Sequence, residues 1–277
     1  MTYEPSKVRY VSVIRIEGGE NILDIPYAEL MQDPDLIAGF VTAVIIFARN
    51  PIRTIRKGSY DVLIEVGDTV LLLLVVDPVL DEAPYREKMR RIIRKIETEH
   101  GSKLKTFEGD VRVYKEFALD ILIEFPFPVP DPSLIPVQVP PDQRPPIPYV
   151  VGSTHNKVEK VLSFVNGKRT VSEILERIGL PDAEVNAIVS MLWKYKWVEF
   201  RKRLEETDIL QVATCVPTVL ERFREQYGLP LDEILRAFDG VKTIREVILS
   251  LPYDPGAIWF LVNKLVEVNC LSPVQRT

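Results

Sequence analysis

The sequence predicts an α+β chain: an N-terminal domain built on an antiparallel five-stranded sheet with helices, followed by two tandem copies of one small helical module. Three observations carry this prediction. A block in the C-terminal half occurs twice at a constant offset of 73 residues. Apolar runs of strand length, punctuated by glycine, fill the N-terminal part. Ten of the 22 prolines fall between Pro126 and Pro148 and separate the two regions. The organisation read from this is 1–125 for the sheet domain, 126–150 for a Pro-rich linker, and 151–214 and 215–277 for the two modules.

Taken in chain order, residues 11–16 and 22–25 are apolar runs flanking Glu17, Gly18, Gly19, Glu20 and Asn21, a hairpin signal. A helix is expected over 34–48, with Pro34 in its first turn and Asn50-Pro51 as its stop. Phe40, Val41, Val44, Ile45, Ile46 and Phe47 leave it little polar face, so it needs cover on most sides. Residues 54–56 read as a short edge segment, and 61–66 and 69–76 as strands joined by Gly67-Asp68. A second helix is expected over 84–99, with Met89, Ile92, Ile93 and Ile96 on one face and Gly101 as its C-terminal cap. A third helical stretch, 110–124, carries Tyr114, Phe117, Ala118, Ile121 and Leu122. The resulting order is ββαβββα with an extra terminal helix.

Proline at the density found after Pro126 forbids helix interiors and favours extended backbone. Such a segment is a spacer between domains, or else Phe125, Phe127, Leu134 and Ile135 pin it along the N-terminal domain and fix the angle between the halves.

In the repeat, Gly167, Thr170, Glu173, Val189 and Leu192 line up with Gly240, Thr243, Glu246, Val262 and Leu265. Each copy carries a capping box, T-x-x-E, in which hydroxyl and carboxylate satisfy orphan N–H groups at a helix start. A turn and a further helix follow, its apolar positions at i, i+3, i+4 and i+7: Val185, Ile188, Val189, Leu192, then Ile258, Leu261, Val262, Leu265. With a first helix at 154–165 and again at 231–238, each copy is a three-helix unit. After the first copy, 197–200 and 209–212 alternate in polarity around a charged tip, a hairpin signal. Helix-turn-helix plus hairpin reads as a winged helix, so the sequence reading is two tandem winged helices.

Charge argues against duplex DNA as the partner. From Val151 to Thr277 there are 17 basic and 17 acidic residues, whereas duplex binding needs a basic surface that releases counterions. The first copy opens its third helix with Asp182 and Glu184, where base-contacting residues usually lie, and only Lys194 and Lys196 compensate. The second copy offers Lys264 and Glu267 around Trp259, Phe260 and Leu261. The whole chain carries a net charge of −5, all of it in the first 150 residues, which disfavours nonspecific nucleic-acid or membrane-surface binding. Two cysteines, Cys215 and Cys270, are too few for a disulfide framework and lack metal-ligand spacing, giving a reading of a reducing, cytoplasmic compartment. No targeting segment is read at the N-terminus, and the strongest apolar runs, 40–48 and 70–76, are far shorter than the roughly 20 residues of a membrane span.

The ββαβββα order, the stretch from Asp35 through Phe40 to Val44, and Phe107, Glu108, Gly109 and Asp110 resemble a longin (roadblock-related) domain of the kind found in archaeal small-GTPase systems. Followed by winged helices, such a domain is similar to the nitrogen permease regulator-like proteins, subunits of complexes that activate GTP hydrolysis on Rag-type GTPases. The stretches Pro148 to Gly152 and Asp208 to Val212, with Pro217 and Thr218, resemble segments at the start and wing of that family's first winged helix. The resemblance implies an interaction protein that regulates or scaffolds a small Ras/Rag-like GTPase, with a small GTPase or a longin/roadblock partner in a dimer or hetero-oligomer. It also implies a GTPase-activating role in trans, which needs an arginine finger to neutralise charge on the transferred phosphoryl group. In the family this arginine lies in a loop of the longin domain, and Arg53 and Arg56 are the loop arginines available here. The competing reading is that both are solvated charges between a helix and a strand.

The chain shows no constellation for chemistry of its own and no cofactor or metal motif. Gly167, Lys168, Arg169 and Thr170 lack the upstream glycine of a phosphate loop, and the repeat partner Gly240, Val241, Lys242 and Thr243 identifies both as a turn and a helix cap. His100 and His155 are the only histidines, and neither has a ligand-spaced neighbour. The alternative function is a winged-helix transcription regulator with an N-terminal sensor or dimerisation domain, which would need Lys157, Lys160, Lys194, Lys196, Arg201, Lys202 and Arg203 gathered into one basic patch.

Overall fold

The N-terminal strands β1 (Val8–Arg15), β2 (Asn21–Pro26), β3 (Thr54–Lys57), β4 (Tyr60–Val66) and β5 (Val70–Val76) assemble in the order β2-β1-β5-β4-β3, all neighbours antiparallel; glycine turns join β1 to β2, β3 to β4 and β4 to β5, and β1 pairs with β5 from a distant part of the chain. This is a computed structural model describing residues 3–28 and 52–274. Strands β1 and β2 form the first hairpin; β3, β4 and β5 form a meander. The central strand β5 is buried along its whole length, as its unbroken apolar sequence requires of a strand covered on both faces. The helix expected over 34–48 lies outside the described residues.

One face of the sheet carries Val11, Val13, Leu63, Leu72 and Leu74, buried against Met89, Ile92, Ile93 and Ile96 of α1 (Ala83–Lys105). The other face, with Tyr10, Ile14, Val62, Ile64, Leu71, Leu73 and Val75, is equally buried, and among the described residues Ile16, Ile52, Ile55 and Tyr60 pack on it. Helix α1 runs past Gly101, which the sequence reading had taken as its cap. The reason is tertiary: Leu104, one turn on, is buried at 1% exposure, and its carbonyl accepts a 2.8 Å hydrogen bond from the Arg15 guanidinium. That anchoring outweighs the roughly 1 kcal/mol an interior glycine costs a helix. The stretch read as a helix over 110–124 is divided. A 3-10 segment, Val111–Phe117, is capped by the Asp110 carboxylate on the Arg112 amide, and α2 (Ala118–Glu124) follows. Tyr114, Phe117, Ala118, Ile121 and Leu122 are all buried, so the apolar pattern held although the helix type changed.

The chain folds as two compact units, Met1–Arg201 and Lys202–Thr277. The first contains both the sheet domain and the first copy of the repeat: α3 (Gly152–Phe164), α4 (Val171–Ile178) and α5 (Asp182–Lys194). One hydrophobic core runs through them, from the sheet and α1 through Phe125, Phe127, Ile147 and Tyr149 to the inner faces of α3, α4 and α5. The Pro-rich segment is therefore no spacer. Phe125 and Phe127 have no exposed surface, and the Tyr149 hydroxyl donates to the Asp24 carbonyl on β2 at 2.6 Å. Residues 135–138 form β6 (Ile135–Gln138), paired antiparallel with β7 (Val198–Arg201). The Gln138 amide also closes the end of α3 by donating to the carbonyls of Leu162 and Val165 at 2.9 and 2.8 Å.

This pairing corrects the hairpin expected between 197–200 and 209–212. Strand β7 pairs with β6, while β8 (Ile209–Val212) belongs to the second unit. There β8 is the middle strand between β9 (Asp239–Thr243) and β10 (Leu271–Pro273). The helices of this unit are α6 (Pro217–Tyr227), α7 (Leu229–Ala237), α8 (Ile244–Ser250) and α9 (Pro255–Glu267). Leu210 and Leu271 of the sheet are buried with Leu231, Ile234, Ile258, Val262 and Leu265. Cys215 and Cys270 are joined as a disulfide across 55 residues, which corrects the reading of a reducing compartment that their small number had suggested. Both capping boxes are formed, Thr170 with Glu173 at the start of α4 and Thr243 with Glu246 at the start of α8.

If sheet domain and first helical copy share one core, Phe127→Ala should destabilise both together, by about 3–5 kcal/mol for a fully buried phenylalanine. Hydrogen exchange should then show the amides of β5 and of α4 losing protection in parallel. Loss confined to one side would mean two separable domains.

Candidate functional site

The two arginines singled out in the sequence lie on the open side of the meander. Strand β3 is an edge of the sheet, and the side chains of Arg53 and Arg56 are exposed there. The Arg56 guanidinium is 77% exposed and reaches Glu82 at 3.5 Å, a loose surface pair that leaves it movable. The Arg53 backbone is fixed, its carbonyl accepting from the Ile64 amide and from Arg86, each at 2.9 Å. Among the described residues neither arginine converges on a catalytic partner, and what the structure positions is the edge from which both project.

That edge is held by a residue the sequence reading passed over. Arg86, one turn into α1 and 13% exposed, donates to the Ile64 carbonyl, the Arg53 carbonyl, the Thr54 hydroxyl and the carboxylates of Glu65 and Glu82, at 3.1, 2.9, 2.7, 2.9 and 2.7 Å in that order. A buried guanidinium satisfied on every side is a rigid tie. Burial alone would raise the Glu82 carboxyl, but hydrogen bonds from Arg86 and Thr54 outweigh it and leave the group below the usual carboxylate range. The available signal was weak: Arg86 sits four residues after Glu82, the spacing of a helix ion pair.

A concavity lies inside the first unit, where the end of α1, the 3-10 segment and the start of α3 meet. It encloses about 300 Å³ and is lined by charged and apolar groups, among them His100, Lys103, Glu116, Asp120, Ser153 and Lys157. Its polar groups largely satisfy one another. The Ser153 hydroxyl donates to the Glu116 carboxylate at 2.8 Å, and Lys157 pairs with Glu184 of α5. His100 stacks edge-on to Tyr114 and Phe117, with ring centroids 5.4 and 6.1 Å away, and its buried Nδ1 has no hydrogen-bond partner. Burial pushes the imidazole below its ordinary value. Among the described residues no group of three or more His, Cys, Asp or Glu converges as metal ligands would, and no helix is long and apolar enough to cross a membrane.

The third helix of the first copy is occupied on both sides. Val185, Ile188, Val189 and Leu192 of α5 face their own module, and the opposite stripe, Glu184, Ala187, Ser190 and Met191, is buried as well, with α2 packed on the helix. Glu184 is neutralised by Lys157 from α3, and Lys194 at the far end donates to the Tyr27 carbonyl at 3.1 Å. What α5 leaves to solvent is Asp182 and Ala183 at its start and Trp193 and Lys194 at its end, with its middle enclosed.

No family model matches the chain, and no curated protein matches it.

The pH dependence of the His100 seam follows from sign. The folded chain holds His100 neutral more firmly than the unfolded chain, so the unfolded state binds the proton more readily. Stability should be full above the unfolded value of about 6.5 and fall as pH drops below it. Glu99, Glu116 and Asp120 attract the imidazolium and Lys103 repels it, which moderates the slope. In denaturant titrations between pH 8 and 5, His100→Phe should flatten this part of the acid slope; an unchanged slope would remove His100 as its source.

Proposed function

We propose that the chain is a non-catalytic interaction protein that regulates or scaffolds a small Ras/Rag-like GTPase, its sheet domain being a longin-type module and its two helical copies winged helices that pack against protein. The observation that carries this reading is the enclosure of α5. The helix that a DNA-binding winged helix would present to the major groove is instead buried between its own module and α2, with its acidic N-terminal residue Glu184 paired internally. The modules are thereby structural arms, and the sheet domain is left to make the encounter.

Two further features support it. The antiparallel five-stranded sheet ends in β3, a short edge carrying Arg56 and Lys57, both exposed. Exposed edges are the natural place for a partner to add a strand, and basic residues there discourage indiscriminate pairing. In a GTPase complex a mobile, solvent-exposed arginine on a rigid edge is the geometry an arginine finger requires, and Arg56, with Arg53 beside it, meets that description. The winged-helix transcription regulator would need a basic face on the third helices, and neither α5 nor α9 supplies one: the Lys264 ammonium of α9 is paired with Glu267 at 2.7 Å.

The test is binding of the purified chain to small Ras/Rag-like GTPases of the same organism, loaded with GDP or with a non-hydrolysable GTP analogue. Preference for the GTP form is expected. If the chain also activates hydrolysis, Arg56→Ala or Arg53→Ala should lower the stimulated rate by about 10³-fold or more, the scale of a lost arginine finger, while binding persists. Unchanged turnover in both variants leaves a scaffold; salt-steep binding to duplex DNA with no GTPase binding would overturn the reading.

A further inference from the structure

Aligned at the offset of 73 residues, the two copies differ in how they fasten the strap of chain that leads from their leading strand, β6 or β8, into their three helices. In the first copy Trp197, the residue before β7, holds the strap. Its carbonyl accepts from the Val139 amide at 2.9 Å, its indole N–H donates to the Pro145 carbonyl at 2.6 Å, and the Arg144 guanidinium lies 5.4 Å from the ring centre. Further along the same strap, Ile147 and Tyr149 are buried in the core. In the second copy the residue before β10, in the place of Trp197, is Cys270. Its carbonyl accepts from the Ala213 amide at 3.0 Å, the counterpart of the Val139 bond, but its side chain fastens the strap through the disulfide to Cys215. Where the first copy has proline-rich chain, the second has α6, which starts two residues after Cys215 and buries none of its residues. Leu220, Phe223 and Tyr227 rest half-buried on the core of the unit, and the helix packs most against α7, which follows it.

We propose that the Cys215–Cys270 disulfide is a redox latch on α6. Closed, it ties the start of that helix to the end of α9; opened by a dithiol, it frees α6 and bares the apolar surface on which Leu220, Phe223 and Tyr227 rest. This goes beyond the GTPase reading and does not depend on it. The effect is local because of where the bond sits. At its far end α6 runs through Gly228 into α7, which is anchored by the buried Leu231, Ile234 and Leu235, so it is the near end that relies on the covalent tie. Helices α8 and α9 are held by their own buried side chains, Ile244 and Val247, then Ile258, Val262 and Leu265. Access decides where the reaction starts: Cys215 is half-buried, whereas Cys270 is 1% exposed. A thiolate of the reductant attacks the Cys215 sulfur, the S–S bond breaks, and Cys270 leaves as a thiolate that takes up a proton in its apolar surroundings. The second thiol of the reductant then displaces Cys215 from the mixed disulfide. In total two electrons and two protons pass to the two cysteines, and the dithiol is oxidised to its own disulfide. The first copy has no cysteine, so the same reductant leaves its strap fastened.

The experiment is hydrogen exchange, read by mass spectrometry, on the full chain before and after incubation with dithiothreitol in native buffer, with free thiols counted by alkylation. In the reduced chain both cysteines should be alkylated and the amides of 217–227 should exchange faster by about tenfold or more, while those of α8, α9 and the first strap, 139–150, keep their rates. Cys215→Ser, at the half-buried position, should exchange like the reduced chain and show no response to dithiothreitol; if it fails to fold, the unaltered chain in its two states carries the comparison. Equal protection of α6 in both states would overturn the proposal. So would a parallel loss of protection across α6, α8 and α9, since the bond would then be a staple of the whole unit. A disulfide that dithiothreitol cuts only after the chain is unfolded, or two thiols that glutathione disulfide does not join, would overturn it as well.

Discussion

Two phenylalanines with no exposed surface, Phe125 and Phe127, are the joint on which the first unit depends. They follow α2 directly and lie where the sheet domain ends and the Pro-rich segment begins. The Phe127 ring packs at 4.8 Å from Tyr27, just beyond the edge strand β2, and at 6.4 Å from Tyr195, at the end of α5. One side chain therefore touches both halves of the unit. Proline on either side of it fixes the backbone, so little conformational entropy remains to be lost when the segment is laid against the core. Two bodies that might have been flexibly tethered are held as one.

That joint explains why the two copies of the repeat diverged where they did. The inner stripe of each third helix serves its own module and is apolar in both. The outer stripe of the first copy lies under α2, and its residues suit a crowded, partly polar interface: alanine for close approach, and a glutamate that a neighbouring lysine neutralises. In the second copy the same positions hold Ala257, Phe260 and Lys264.

What was legible in the sequence was what is decided locally. The capping boxes at Thr170 and Thr243 are four-residue patterns closed by hydrogen bonds within one turn, and the Gly18-Gly19 hairpin is of the same kind. Helix stripes such as Met89, Ile92, Ile93 and Ile96 are periodic over a single element. Where the reading failed, a distant residue decided. Gly101 stays helical because Leu104 packs and Arg15, 89 residues earlier in the chain, bonds its carbonyl. Strand β7 takes β6 as its partner across more than sixty residues. Arg86 ties the edge strand through groups on β4, on β3 and on the residue before β3, and no spacing announces those bonds. The helix expected over 34–48 falls outside the described residues.

The exchange of strand partners has a physical logic that bears on the whole architecture. A hairpin between β7 and β8 would have left Ile135, Pro136, Val137 and Gln138 as an unpaired edge beside the first copy, and left the second sheet without its middle strand. By pairing with β6, β7 turns the Pro-rich segment into a strand of the first unit, where Pro136 is tolerated because a two-stranded ribbon has a free outer side. Released from that role, β8 fills the centre of the second unit and buries Leu210 completely. Each unit thus closes its own small sheet with a segment that precedes its helices, β6 before α3 and β8 before α6, and the repetition seen in the helices extends to the strands that the sequence pattern had assigned otherwise.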